Sequence, residues 1–311
     1  MGGVFVSTLS QTAFLFSLII VGYILAKLKF IPENSATVIS KLENFLFVPA
    51  LVTGTFITNF TVAKISSAWK IMLVSFIIIF ISMPISFFAA RFLGKNKYQR
   101  NIYTYGLIFS NFGFMGNSVV SALFPEMFLD YIIFTMPLWF MIYLWGTPTL
   151  LIADCAGKQS LARRFKSFLN PMFIGMIIGM IIGITGITLP SWITNVITSA
   201  GNCMSPLAML LIGVTVSAID IKKAFTNVRI YVASVLRLLV YPLLFLLAAR
   251  FIPMDDTIFL CAACALAMPL GLSTIVIPSA YGRDTSDAAA MCVISHLLSC
   301  ATIPLIFSLV V

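Results

Sequence analysis

Apolar residues run along this chain in long stretches, and polar positions gather in the short segments between them. Ten such stretches can be marked, near 9–28, 38–60, 68–91, 102–124, 130–152, 170–189, 195–219, 228–250, 257–281 and 288–310. A helix needs roughly 20 predominantly apolar residues to cross a bilayer, so the pattern predicts ten membrane-spanning helices. Two of them are interrupted at about mid-depth by helix-breaking residues. One interruption is NFGFMGNSVV, Asn111 to Val120; the other is AMPLGLSTIVI, Ala267 to Ile277. Backbone released from a helix at membrane depth must be buried in protein or line a wet cavity, and interrupted spans at matching places in two halves point to a binding site. The pattern therefore predicts a membrane transporter.

Composition strengthens that expectation. The 311 residues are 60% hydrophobic and 9% charged, with a mean hydropathy of +1.07, against about 25% charged residues in an average soluble domain. The first stretch has no basic residue before it and Lys27 and Lys29 after it, the reverse of a signal peptide, and is read as a retained span.

Charge sets the orientation. With loops placed alternately on the two sides, Lys27, Lys29, Lys41, Arg91, Lys95, Lys97, Arg100, Lys158, Arg163, Arg164, Lys166, Lys222, Lys223, Arg229 and Arg283 fall on one side and Lys64, Lys70 and Arg250 on the other, with Arg237 inside a span. By the positive-inside rule the larger set marks the cytoplasm, so both termini are expected outside a plasma or inner cell membrane. The net charge of +9 is thus a topology signal, and nucleic acid is not an expected partner.

Five spans per half is an odd number, so a duplicated second half crosses in the opposite sense. That is the inverted-repeat design. The expected organisation is a first repeat over 1–155, a cytoplasmic connector over 156–169 and a second repeat over 170–311. Pro49 in span 2 and Pro206 in span 7 correspond, as do the two interruptions in spans 4 and 9.

Of the six cysteines, Cys203, Cys261, Cys264, Cys292 and Cys300 fall within spans and only Cys155 near a loop. Cys292, His296 and Cys300 share one helix face, but ordinary packing is preferred over a soft-metal site. No metal or cofactor is expected. Nucleophile elbows and phosphate-binding glycine loops are absent, and Asp255 and Asp256 sit in an external loop. No enzyme is expected, and there is no room for a soluble nucleotide-binding domain.

Four segments carry a family resemblance: KLENFLFVPAL in span 2, NFGFMGNSVV in span 4, PLAMLLIG in span 7, and AMPLG followed by SAYGRD in span 9. They resemble the auxin efflux carrier family, which includes plant auxin exporters and bacterial malate or malonate permeases, within the bile acid and arsenite transporter fold. Asn111, Met115 and Gly116 match the family's span 4 signature, while Ser118 stands where the family has its crossover proline. Gly113 and Gly116 still weaken the helix there, with Asn117 or Ser118 as an N-cap for the second half-helix.

The resemblance implies a scaffold of spans 1, 2, 6 and 7 and a transport bundle of spans 3–5 and 8–10, in which spans 4 and 9 cross. It implies a small organic anion held at that crossing, elevator-type movement, and a homodimer through the scaffold. Helix N-termini favour anions. Asn111, Gly116, Asn117 and Ser118 are candidate substrate contacts in span 4, with peptide N–H groups near Asn117, Ser118 and Val119 completing the cradle. Pro269, Gly271, Ser273 and Thr274 are the candidates in span 9, and Pro49 and Thr53 on span 2 are candidates for the pocket wall.

Three ionisable residues at depth are functional candidates by default. Arg237 is read either as a pathway counter-ion, with Glu43 as a candidate partner, or as a structural anchor. Glu43 is alternatively an interfacial residue beside Lys41. His296 is expected to be a neutral imidazole bonded to a backbone carbonyl, with titration as the alternative. Two other functional readings stand beside anion transport: a sodium- or proton-coupled symporter of the bile-acid-carrier type, and a membrane sensor that binds a metabolite without moving it.

Overall fold

A computed structural model describes residues 2–153, 160–166, 168–218, 226–280, 283 and 285–310. Residues 156–159 and 167 of the expected connector lie outside these, as do Cys155, Lys222, Lys223, Tyr281, Gly282 and Asp284. The described chain is helical. Helix α1 is Gly2–Lys27, and α2, Ser35–Leu42, passes through a π-helical turn, Glu43–Phe47, into α3, Val48–Asn59. Helix α4, Val62–Leu93, is followed by α5, Lys97–Ile108. The chain then extends, re-forms as a π turn, Phe112–Gly116, and continues into α6, Asn117–Leu123. Helix α7, Phe128–Met141, runs on as a π-helical stretch, Ile142–Leu151.

After the short α8, Leu161–Lys166, come α9, Pro171–Thr185, and α10, Ser191–Ser217. Helix α11, Val228–Val235, passes through a π turn, Leu236–Val240, into α12, Tyr241–Ala249. Helix α13, Asp256–Ala267, stops at a second extended break, beyond which lie α14, Ser273–Ala280, and α15, Ser286–Val310.

Local chemistry explains the ends. Asn96, Asn170, Asn227 and Asp255 each accept a backbone N–H from the first turn they cap, satisfying a donor the helix leaves open. Gly186 ends α9 at φ 66°, the left-handed cap that glycine tolerates. Pro206 sits inside an unbroken α10, whereas Pro49 comes directly after a π turn, so the two prolines do not produce the same local structure.

Among the described residues, seven helical runs are long and apolar enough to cross a bilayer: Leu9–Lys27, Ser35–Asn59, Val62–Leu93, Pro125–Leu151, Ser191–Ser217, Val228–Ala249 and Ser286–Val310. Phe112–Leu123, Pro171–Thr185 and Asp256–Ala267 are apolar but shorter. Two of these three belong to the interrupted stretches, so the break that makes them interesting is also what shortens them.

The helices pack in two groups. In the first, α1 lies along α10, and α3 lies along both α9 and α10. Small residues permit the close approach: a Cβ added at Gly179 or Gly183 of α9 would come within 2.7 Å of Thr53 O or 2.6 Å of Phe56 O in α3. Helices in lipid associate through such van der Waals contact, because lipid tails are as apolar as the side chains. In the second group α4 packs on α5 and α7, α13 on α7, α12 and α15, and α11 on α15. Contacts of α1 with α15 and of α3 with α7 join the groups.

The charged ends are tied down. At one end Arg229 donates to Leu93 O at 3.3 Å and the Arg283 guanidinium lies 4.2 Å from the Tyr98 ring. At the other, Lys64 pairs with the buried Asp130 at 2.7 Å.

Candidate functional site

The two interruptions meet. After α5 the chain is non-helical from Phe109 to Asn111, with Phe109 extended, and after α13 it is extended through Met268. Asn111 N–H donates to Pro269 O at 2.7 Å, and Ser110 and Leu270 form an isolated antiparallel bridge. Ser110 Oγ donates to Ala265 O at 3.0 Å, and Leu270 N–H donates to Ser295 Oγ at 3.2 Å. Each break therefore satisfies backbone groups of the other, which is the condition for non-helical chain at membrane depth. The approach is tight: a Cβ at Gly271 would stand 3.2 Å from the carbonyl oxygens of both Phe109 and Ser110.

Arg237 holds the crossing from one side. Its Nε donates to Met268 O at 3.3 Å, Nη1 to Leu107 O at 3.1 Å and Nη2 to Ala265 O at 3.0 Å. These carbonyls belong to the C-terminal ends of α5 and α13, each carrying about half a negative charge. Two such ends offset one guanidinium. Of the two readings of Arg237, the structural anchor is the one that calls for bonds of this kind. The partnership with Glu43 is not formed, because among the described residues Glu43 has no hydrogen-bond partner and no ion pair links it to Arg237. The Tyr241 ring lies 5.7 Å from the guanidinium carbon, and Tyr241 Oη is 2.7 Å from Ser86 Oγ.

On the other side of the crossing the second half-helices begin. Asn111 is the residue before the π turn and is 2% exposed. Its amide nitrogen lies 3.0 Å from His296 Nε2, and His296 Nδ1 lies 2.8 Å from Cys292 O. Because a carbonyl only accepts, Nδ1 carries the hydrogen and Nε2 accepts from Asn111, which describes a neutral imidazole. Asn111 thus links the crossing to α15.

The expected cap at Asn117 or Ser118 is not formed. Gly116 N–H bonds to Asn111 O at 3.0 Å and Asn117 N–H bonds back to Phe112 O, so the second half-helix starts one turn earlier than the glycines suggested. Peptide groups at Asn117 to Val119 lie within helix, and the N-terminal donors are those of the turn beginning at Phe112. Ser118, the departure from the family's proline, falls past the break, with its hydroxyl on Phe114 O at 2.7 Å. Gly116 lies beneath Tyr131, whose hydroxyl donates to Phe112 O at 3.1 Å.

In span 9, Thr274 Oγ1 turns back to Gly271 O at 2.8 Å, and Ser273 opens α14 half-buried. Asn117 is 5% exposed. It lines a cavity of about 20 Å³ with Val52 of α3, Thr135 and Trp139 of α7, and Met172 and Met176 of α9. The wall from α3 is thus Val52. Pro49 and Thr53 instead face Gly175 of α9.

Asn111, Pro269 and Gly271 are therefore brought together, His296 joins through Asn111, and Pro49, Thr53 and Glu43 lie apart. Ser110 and Ser295 were missed. Both are small hydroxyl residues in apolar spans next to a residue already singled out, Asn111 and His296, and that adjacency was the available signal.

A second cavity of about 20 Å³ touches the crossing at Ser110 and Arg237. A far larger cleft, about 1250 Å³, opens between the two helix groups. Lys27, Lys29, Glu33 and Asp287 line it together with Val214 of α10, Ile230 of α11 and Ile275 of α14. Ile275 is in the first turn of α14, so the cleft reaches the half-helix that starts at the crossing. The described residues contain no cluster of three His, Cys, Asp or Glu side chains arranged to hold a metal.

An all-helical chain with long apolar helices, crossed breaks at depth and a cleft between two helix groups is the architecture of a multi-pass membrane transporter. The family model described as membrane transport protein matches residues 7–163 and again residues 160–307. The chain belongs to this family, that of the auxin efflux carrier-like transporters. A comparison with curated proteins gave no match.

Proposed function

We propose that this protein is a secondary transporter of a small organic anion, a carboxylate of the malate, malonate or auxin type, bound where the two interrupted helices cross. The observation that carries the reading is the backbone pairing of Asn111 with Pro269 at 2.7 Å. It sets two half-helix starts side by side at depth, with their open N–H groups and positive dipole ends converging. The amide of Asn117, in the lining of the small cavity between α3, α7 and α9, adds a donor at the boundary between the helix groups.

The finer architecture agrees with the same reading. Seven apolar runs are long enough to cross and three further apolar helices are shorter, a set that a ten-span arrangement would use, and the two matched segments meet at 160–163, inside the short basic join between halves. An inverted pair of five-helix repeats accounts for both. The first helix group then serves as scaffold, pairing in a homodimer, and the second as the moving bundle in an elevator-type cycle. The cleft, lined by Lys27 and Lys29, is the cytoplasmic vestibule of one state. The lipid bilayer of the cell membrane surrounds it.

The first test is a thermal-shift screen of purified protein against mono- and dicarboxylates, auxin-like aromatic acids and amino acids. Stabilisation by at least one carboxylate, scaling with its concentration as a bound ligand requires, is expected. Stabilisation by amino acids or neutral compounds alone would overturn the anion assignment.

Orientation is tested separately. The charge split predicts that a membrane-impermeant thiol reagent applied to intact cells labels a cysteine placed near the C-terminal end and spares one at Gln159. The reverse pattern would invert the vestibule assignment.

A further inference from the structure

We propose that Glu43 is a proton-binding site, through which proton movement is coupled to the anion transport proposed above. The coupling rests on that reading; the proton site itself does not. Glu43 is 0% exposed, and neither of its carboxyl oxygens has a hydrogen-bond partner among the described residues. It opens the π turn Glu43–Phe47, a local irregularity that recurs at functional positions.

Among the described residues, the helices packed on this turn supply no buried counter-ion. The turn packs against α2, α3, α9 and α10. Helices α3 and α9 contain no titratable side chain, α10 contains only the exposed Cys203, and α2 contains only Lys41, which is exposed. An ionised carboxylate without donor or cation in such a place is so costly that the group neutralises instead. Glu43 therefore holds a proton in this conformation.

Its position gives that proton a route. Ala36 lines the vestibule, and Glu43 lies seven residues further along the same helix, two turns deeper on the same face. At 1.5 Å per residue that is about 10 Å. Half-buried Ile39 and Ser40 lie between them. The ionisable groups of the vestibule itself are Lys27, Lys29, Glu33 and Asp287. When water from the vestibule reaches Glu43 past Ile39 and Ser40, its O–H bond breaks, the proton passes to that water, and a carboxylate remains. Return to the dry state requires one proton to be taken back. If the two steps face opposite sides, one proton crosses per cycle and no other reactant is consumed.

Two measurements test this. Infrared spectroscopy of the purified protein at neutral pH is expected to show a protonated carboxyl band that disappears in Glu43→Gln. A spectrum unchanged by the substitution, showing Glu43 ionised, would overturn the proton site whatever the protein transports. In proteoliposomes, with malonate as the probe and other carboxylates in parallel, an imposed gradient of one pH unit should change the accumulation ratio up to about tenfold for one coupled proton. In Glu43→Gln that ratio should fall to one, and reading a ratio removes any difference in the amount of folded protein. A wild-type ratio indifferent to the pH gradient, or a Glu43→Gln ratio that still tracks it, would overturn the coupling. Absence of flux for every probe, with the infrared band present, would overturn the coupling and the transport reading while leaving the proton site in place.

Discussion

Replacing Arg237 by glutamine is expected to destabilise the protein by several kcal/mol and to abolish transport. The guanidinium serves three buried carbonyls at once, those of Leu107, Ala265 and Met268. A glutamine amide offers two donors on a shorter stem, so at least one acceptor is left unpaired, at about 1–3 kcal/mol each. The lost charge adds to this, because the C-terminal dipoles of α5 and α13 then face each other without compensation. Arg237→Lys keeps the charge and loses the planar fork, and should fall between the two. Thermal unfolding of detergent-purified protein, monitored with and without a bound carboxylate, is the check. A variant as stable as the wild type but deficient only in binding would return Arg237 to the role of a substrate counter-ion.

Asn111→Ala is expected to weaken carboxylate binding by about ten- to a hundredfold, since a hydrogen bond to a charged group contributes roughly 1.5–3 kcal/mol. Two effects act together. The substitution removes an amide beside the N-terminal donors of the turn that starts at Phe112, and it leaves His296 Nε2, now 3.0 Å from that amide, without its donor. Asn117→Ala should act in the same direction without disturbing His296. Affinities measured by titration for a carboxylate identified in the screen decide between outcomes. Unchanged affinity in both variants would place the anion away from the crossing.

Much of this arrangement was legible in the sequence. The two interruptions stood out because Asn, Gly, Pro and Ser are costly at membrane depth, and they are the segments that meet. The sequence did not reveal the exact place of each break. Gly113 and Gly116 drew attention as helix weakeners, yet both lie inside a π turn, and the non-helical residues Phe109 to Asn111 include a phenylalanine and a serine with no such signature. Their conformation is set by tertiary pairing with Met268 to Leu270, which no local propensity encodes.

Arg237 illustrates the same limit. A mid-span arginine announces a partner, but whether that partner is a carboxylate, a ligand or the ends of two helices depends on which elements surround it. Thr53 and Val52 are neighbours in sequence and face different surroundings, a distinction that rests on the rotation of α3 after its π turn. Glu43 was readable as an interfacial residue because Lys41 lies two positions away; only the packing of α9 and α10 shows that it is sealed.

The most direct test of the account is uptake of a labelled carboxylate, taken from the hits of the binding screen, into liposomes containing the purified protein and preloaded with the same unlabelled anion. Saturable entry of label, reduced in Asn111→Ala and absent from protein-free liposomes, is the expected result. Binding of the anion without any entry would contradict it and identify the protein as a sensor that holds its ligand and does not move it.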